Sequence, residues 1–95
     1  MTIEVKTDKE LESAIQKDNA LILITIPISC PSCRHLEAMM KEKEPKSDVY
    51  VVDVGRHGFI HNILMGVRSI PTVIQVKEDK TSIHVGQKAF DKIYE

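Results

Sequence analysis

Beyond one closely spaced pair, Cys30 and Cys33, the sequence has no cysteine. That excludes a disulfide framework, and it denies a structural zinc the four protein ligands such a site usually takes. His35 falls one helical position off the cysteine face, and His57, His61 and His84 form no tight ligand pattern. No metal or other cofactor is expected; an ion shared by two chains through four thiolates is the one metal arrangement left. Charge of one sign is also missing. Thirteen Lys and Arg face fourteen Asp and Glu, with no long block of either. Nothing points to nucleic acid or an anionic membrane surface.

Long apolar runs are absent too. The longest, Ala20 to Ile28, is interrupted by Thr25 and Pro27 and falls short of the roughly 20 residues that cross a bilayer. The stretch MTIEVKTDKELES has no apolar signal core, so the expected compartment is the cytoplasm. Internal repeats, low-complexity tracts and linkers do not occur, and 95 residues make one domain, 1–95. What is present is an apolar fraction of 42% interleaved with a charged fraction of 28%. That mixture fits a soluble globular domain and not a disordered chain.

The periodicity gives the order of elements. Residues 2–6 alternate, with Ile3 and Val5 on one face, as an edge strand does. Thr7 followed by Glu10 is a capping-box pattern. Leu11, Ala14 and Ile15 then predict an amphipathic helix over 8–18, with Asn19 as its stop. Ala20 to Ile26 is a continuous apolar, β-branched run, which predicts a central strand covered on both faces. Pro31 is tolerated in the first turn of the next helix. Cys33, Leu36 and Met40 continue that helix until Pro45 ends the run.

Residues 48–54 read as a strand, and Gly55 and Gly58 break it. Ile60, Ile63 and Leu64 then predict a short helix ending at Gly66. Residues 70–76 form a fourth strand and 81–85 a fifth, after a turn at 78–80 whose register Asp79-Lys80 does not specify. Phe90, Ile93 and Tyr94 mark a terminal helix after Gly86. The order β-α-β-α-β-α-β-β-α places the chain in the α/β class, with a mixed sheet of four to five strands and helices on both faces.

The cysteines stand where the central strand hands over to a helix. A thiol attacks only as its thiolate, about 3% of an ordinary thiol at pH 7. Unpaired N–H groups and the helix dipole favour negative charge at a helix N-terminus. Bringing a thiol pKa to about 7 makes about half of it reactive, a gain near 2 kcal/mol. Cys30 opens the helix and so sits in that field; Cys33, about one turn behind, aligns with the Leu36 and Met40 face. This geometry assigns Cys30 as the attacking thiol and Cys33 as the resolving thiol, displacing a mixed disulfide from within the molecule. Two small, inert core cysteines are the bland alternative.

Ala20–Ile26 leads into Cys30-Pro31-Ser32-Cys33-Arg34. Further on come Gly66-Val67-Arg68-Ser69-Ile70-Pro71-Thr72-Val73, and then Val85-Gly86 before the last helix. Over nearly all of its length the chain resembles the thioredoxin-like superfamily, and thioredoxin most among its branches. The resemblance implies a thioredoxin-like fold in which Pro71 is cis and faces the cysteines. It implies that the Ile70 backbone pairs with an extended substrate, that Pro31 and Ser32 tune the thiolate, and that Gly86 permits a close approach or supplies a turn. The activity implied is reduction of protein disulfides by dithiol exchange. The partners implied are disulfide-bearing proteins and an external reductase or dithiol donor, acting on a monomer.

Four positions depart from the thioredoxin pattern. Ser29 stands where a tryptophan usually precedes the first cysteine. Ile24, aligned without a gap, stands where a buried acid assists the resolving cysteine, and no acid occurs between Asn19 and Cys33. Pro31-Ser32 replaces Gly-Pro; a proline directly after the first cysteine is shared with glutaredoxins. Yet Thr72-Val73-Ile74-Gln75 lacks the glycine pair that helps glutaredoxins hold glutathione. A glutathione-dependent oxidoreductase and a non-catalytic thioredoxin-fold binding module are the two rival readings.

Several neighbours carry lesser expectations. Arg34 and His35 are solvated first-turn residues or steer acidic partners, and Asp53 is a surface or turn group. Met39, Met40 and Met65 are core filling. Thr25 and Ser29 could hydrogen-bond near the pair, with no catalytic role assigned to either.

Overall fold

A computed structural model describes residues 1–95. The strands are β1 (Thr2–Val5), β2 (Ala20–Thr25), β3 (Val49–Asp53), β4 (Thr72–Lys77) and β5 (Lys80–Val85). The α-helices are α1 (Asp8–Ile15), α2 (Pro31–Glu42) and α3 (Gln87–Ile93). A short 3-10 helix, Asn62–Gly66, stands where the sequence predicts the third helix. The five strands form one sheet in the order β1-β3-β2-β4-β5. β3 runs parallel to β1 and to β2, whereas β4 is antiparallel to β2 and to β5.

β2 is the middle strand, and all six of its residues are buried. Alternation along it separates two cores. Leu21 and Leu23 pack with Val49, Val51 and Val73 against Leu36 and Met40 of α2 and Ala89 and Ile93 of α3. Ile22 and Ile24 point the other way, joining Val52 and Ile74 against Leu11 and Ala14 of α1. Helices therefore cover both faces, which is why β2 has no polar face in its sequence.

The ends of the elements have local causes. The Thr7 hydroxyl accepts from the Glu10 amide at 3.2 Å and starts α1. That helix stops three residues before the predicted end at Asp18, because the chain turns through a left-handed Asn19 (φ 63°) into β2. Glu78 and Asp79 both have positive φ, and Lys77 pairs with Lys80. The hairpin thus closes on a two-residue turn whose twist matches the strands, fixing the register that the sequence does not specify. Gly86, at φ 62° and ψ −126°, turns the chain into α3 through a conformation side chains resist.

Candidate functional site

β2 ends at Thr25, and five residues later Cys30 caps α2 from an extended backbone (φ −128°, ψ 105°), with Pro31 following at the start of the helix. The cap is the thiol itself. Cys30 Sγ accepts the Cys33 N–H at 3.2 Å, in the place where a serine or aspartate oxygen would act. The Cys30 carbonyl accepts the Arg34 N–H at 3.1 Å as the first turn closes. Both thiols are free. Cys30 retains 8% exposure and Cys33 none, so access follows the order that the helix geometry predicts.

The turn that delivers Cys30 is held from two sides. The Arg34 guanidinium donates to the Pro27 carbonyl at 2.7 Å, and the Ser29 N–H reaches the Ile26 carbonyl at 3.1 Å. Gly55 lies beneath: a Cβ there would stand 2.9 Å from Ile26 Cγ2 and 3.2 Å from Ile28 Cγ2. Arg34 thus braces backbone. The His35 ring faces Phe90 of α3, with centroids 5.9 Å apart. Asp53 is a turn group as expected, its Oδ1 accepting from the Gly55 and Arg56 amides at 3.0 Å each.

Burial pushes the Cys33 thiol above its ordinary pKa, and the Cys30 sulfur beside it pushes the same way; the Thr25 hydroxyl and the Ile26 backbone act in the opposite direction. Ile24, at the gap-free position of the family's acid, belongs to the α1-side core and faces away. The β2 side chain that adjoins Cys33 is therefore Thr25. Thr25, the next residue along the strand, takes the opposite face from Ile24. Thr25 is the residue that sequence reasoning left without a role. Its one signal was being the only polar side chain in a strand otherwise apolar from Ala20 to Ile24.

The Ile70–Pro71 peptide is cis. Ile24 pairs with Thr72, so the antiparallel register continued one step sets Pro71 opposite Thr25, at the end of the sheet from which Cys30 emerges. The Gly86 N–H donates to the Pro71 carbonyl at 3.1 Å, joining two of the predicted residues directly. Nothing would meet a Cβ on Gly86, so the turn and not a close approach requires glycine there. Pro31 and Ser32 are exposed and, with Gly86, line a groove between α2 and α3. The Ile70 side chain lines an apolar groove on the α1 side with Ile24, Ile26, Phe59 and Leu64. Met40 is core and Met39 half-buried, but Met65 is 82% exposed and fills nothing.

No family model and no curated protein matches the sequence. Solved structures do. Thioredoxin O1 of Arabidopsis thaliana in its oxidised state matches with a TM-score of 0.72 at 20% identity, over 99% of this chain and 98% of that one. Schistosoma mansoni thioredoxin matches at 0.68 with 25% identity, over 97% and 92%. Trichomonas vaginalis thioredoxin matches at 0.62 with 20% identity, over 90% and 85%. The chain has the thioredoxin-like fold. Where its second strand passes into its second helix it carries a Cys-Pro-x-Cys pair whose proximity is consistent with a redox-active site.

Proposed function

We propose that this protein is a thiol–disulfide oxidoreductase that reduces protein disulfides by dithiol exchange. The observation that carries the reading is the Cys33 N–H donated to Cys30 Sγ at a helix start. That bond holds the Cys30 sulfur at the mouth of α2, and the same geometry keeps the second sulfur one turn behind it. Cys30 thiolate attacks one sulfur of a substrate disulfide and the other leaves as a thiol. Cys33 then attacks Cys30 Sγ, the second substrate thiol leaves, and a Cys30–Cys33 disulfide remains. An external reductase or dithiol returns two electrons and two protons. The reducing cytoplasm, where disulfides are transient, is the compartment in which this direction of exchange makes sense.

Pro31, Ser32, Ile70, Pro71 and Gly86 are assigned to positioning the substrate around this mouth, as one monomer. The test uses a disulfide-bonded protein with dithiothreitol as donor. The chain should accelerate reduction over dithiothreitol alone. Cys30→Ser should abolish the acceleration, and Cys33→Ser should accumulate a covalent adduct visible in non-reducing electrophoresis. No acceleration by the unaltered chain would remove the reading. Turnover sustained by glutathione alone would replace it with the glutathione-dependent one.

A further inference from the structure

Thr25 is fully buried, and its hydroxyl has no hydrogen-bond partner in the reduced protein. A hydroxyl left unmet in an apolar interior costs of the order of 1–3 kcal/mol on mutational scales, so such a group asks for a reason. The strand around it supplies no structural one. Its backbone pairs in register with Asp53, its carbonyl accepts the Val54 N–H at 3.1 Å, and the β-branched shape alone would be matched by valine. Alternation along β2 puts the hydroxyl on the α2 side with Leu21 and Leu23, the side onto which Leu36 and Met40 pack. The fully buried Cys33 thiol belongs to that same side of α2 and feels the hydroxyl. The groups acting on that sulfur are few: Cys30 Sγ, the Thr25 hydroxyl and the Ile26 backbone, with no charged side chain among them.

We infer that Thr25 is a positioning residue for the second half-reaction, its hydroxyl turning to donate a hydrogen bond to Cys33 Sγ as that sulfur takes on negative charge. The inference rests on the dithiol reading above and adds to it the group that makes a sealed sulfur able to react. In the resting state both sulfur and hydroxyl can rotate, since each carries one proton and accepting lone pairs. Once Cys30 is tied to a substrate sulfur, Cys33 must become nucleophilic in a place where water cannot solvate it. A preorganised O–H beside it substitutes for that water, and such a donor is strongest where the surroundings are apolar. The bond from Cys33 Sγ to Cys30 Sγ then forms and the bond from Cys30 Sγ to the substrate sulfur breaks. The electron pair departs with the substrate, and the Cys33 proton is taken up by that leaving sulfur. Threonine neither gains nor loses a proton over the step.

The experiment follows the two halves separately in the full chain, with dithiobis-nitrobenzoate as the disulfide. Capture by Cys30 releases one coloured thiolate, and displacement by Cys33 releases the second. Thr25→Val, which keeps the shape, should leave the first phase within about twofold and slow the second by about 10- to 100-fold, the worth of a hydrogen bond to a charged group. The pH at which the second phase reaches half its limiting rate should move upward. Thr25→Ser should restore both rate and midpoint, which a packing role would not predict. Thr25→Ala serves as the hydroxyl-free variant should valine disturb the fold. An unchanged second phase in a folded hydroxyl-free variant overturns the inference, as does equal slowing of both phases. Absence of any second phase in the unaltered chain instead overturns the dithiol reading beneath it.

Discussion

The corner formed by β2 and α2 and the connection from Val54 to Ile70 reach the same end of the sheet and are built in opposite ways. In the corner, all of β2 and the Cys33, Leu36 and Met40 side of α2 are buried, and β2 is paired on both edges. In the connection no residue is buried; Ile60 is 91% exposed. The connection is attached by half-buried apolar side chains, Phe59, Ile63, Leu64 and Val67 among them, packed on the α1-side core, and by a few polar bonds. The Asp8 carboxylate at the start of α1 accepts the Ile60 N–H at 3.1 Å and the His61 N–H at 3.0 Å, and the His61 ring meets Glu12. The contrast teaches where reacting atoms can be kept. The sulfurs belong to the part whose opening would expose the most fully buried apolar surface, and the flank that leads to Pro71 belongs to a part held by half-buried side chains.

The largest blow to this contrast is Leu36→Ala. Leu36 has no exposure and ties α2 to the sheet, so the change should cost about 2–5 kcal/mol, read as a lower urea midpoint. It should also make Cys33 alkylatable.

Cys33 itself gives the next effect. Burial, then the Cys30 sulfur, raise its pKa; a raised thiol pKa means the neutral form persists to higher pH. In a Cys30→Ser chain, where burial still acts, iodoacetamide should therefore modify Cys33 only at a pH above that needed when the same chain is unfolded in urea. Equal pH profiles would place the sulfur in contact with water.

Asp8→Ala strikes the other region. Two amides lose their charged acceptor at an exposed site, a loss of about 1 kcal/mol. Hydrogen exchange should quicken at Ile60 and His61, while Cys33 alkylation stays as it was. If Cys33 responds as well, the two regions are one cooperative unit.

Smaller still is the acid response of Glu12. The hydrogen bond from His61 holds its carboxyl below the ordinary value of 4.5. A lowered carboxyl pKa contributes stability above the ordinary value and loses it as pH falls through the lowered one. Glu12→Gln should flatten that stretch of the stability curve. Smallest of all, Ile60→Ser and Met65→Ser should change stability by no more than about 0.5 kcal/mol.

Much of this could be read from residues. The double-sided burial of β2, the Thr7 cap and the helix behind the cysteines all leave periodic or positional marks. So does the resemblance around Pro71, and the peptide before it is cis as that resemblance implies. The 3-10 helix from Asn62 was harder to read because its apolar residues are half-exposed and keep no clean period. Asp8, fifty-two residues away from Ile60, ties the segment just before this helix, and Ile63 and Leu64 pack on the α1-side core. Thr25 was illegible for a different reason. Neighbouring strand residues take opposite faces, and an ungapped count from Cys30 selects Ile24, which belongs to the other core. The bond between Gly86 and Pro71 joins segments that have no common pattern in sequence.

Gly55 lies outside any recognisable motif, yet it is the floor on which the Ile26–Ile28 bend rests. Adding one methyl group there would lift that bend and with it the mouth of α2. The placement of Cys30 can thus be shifted by a substitution twenty-five positions downstream of it, at a residue whose closest neighbours belong to neither α2 nor β2.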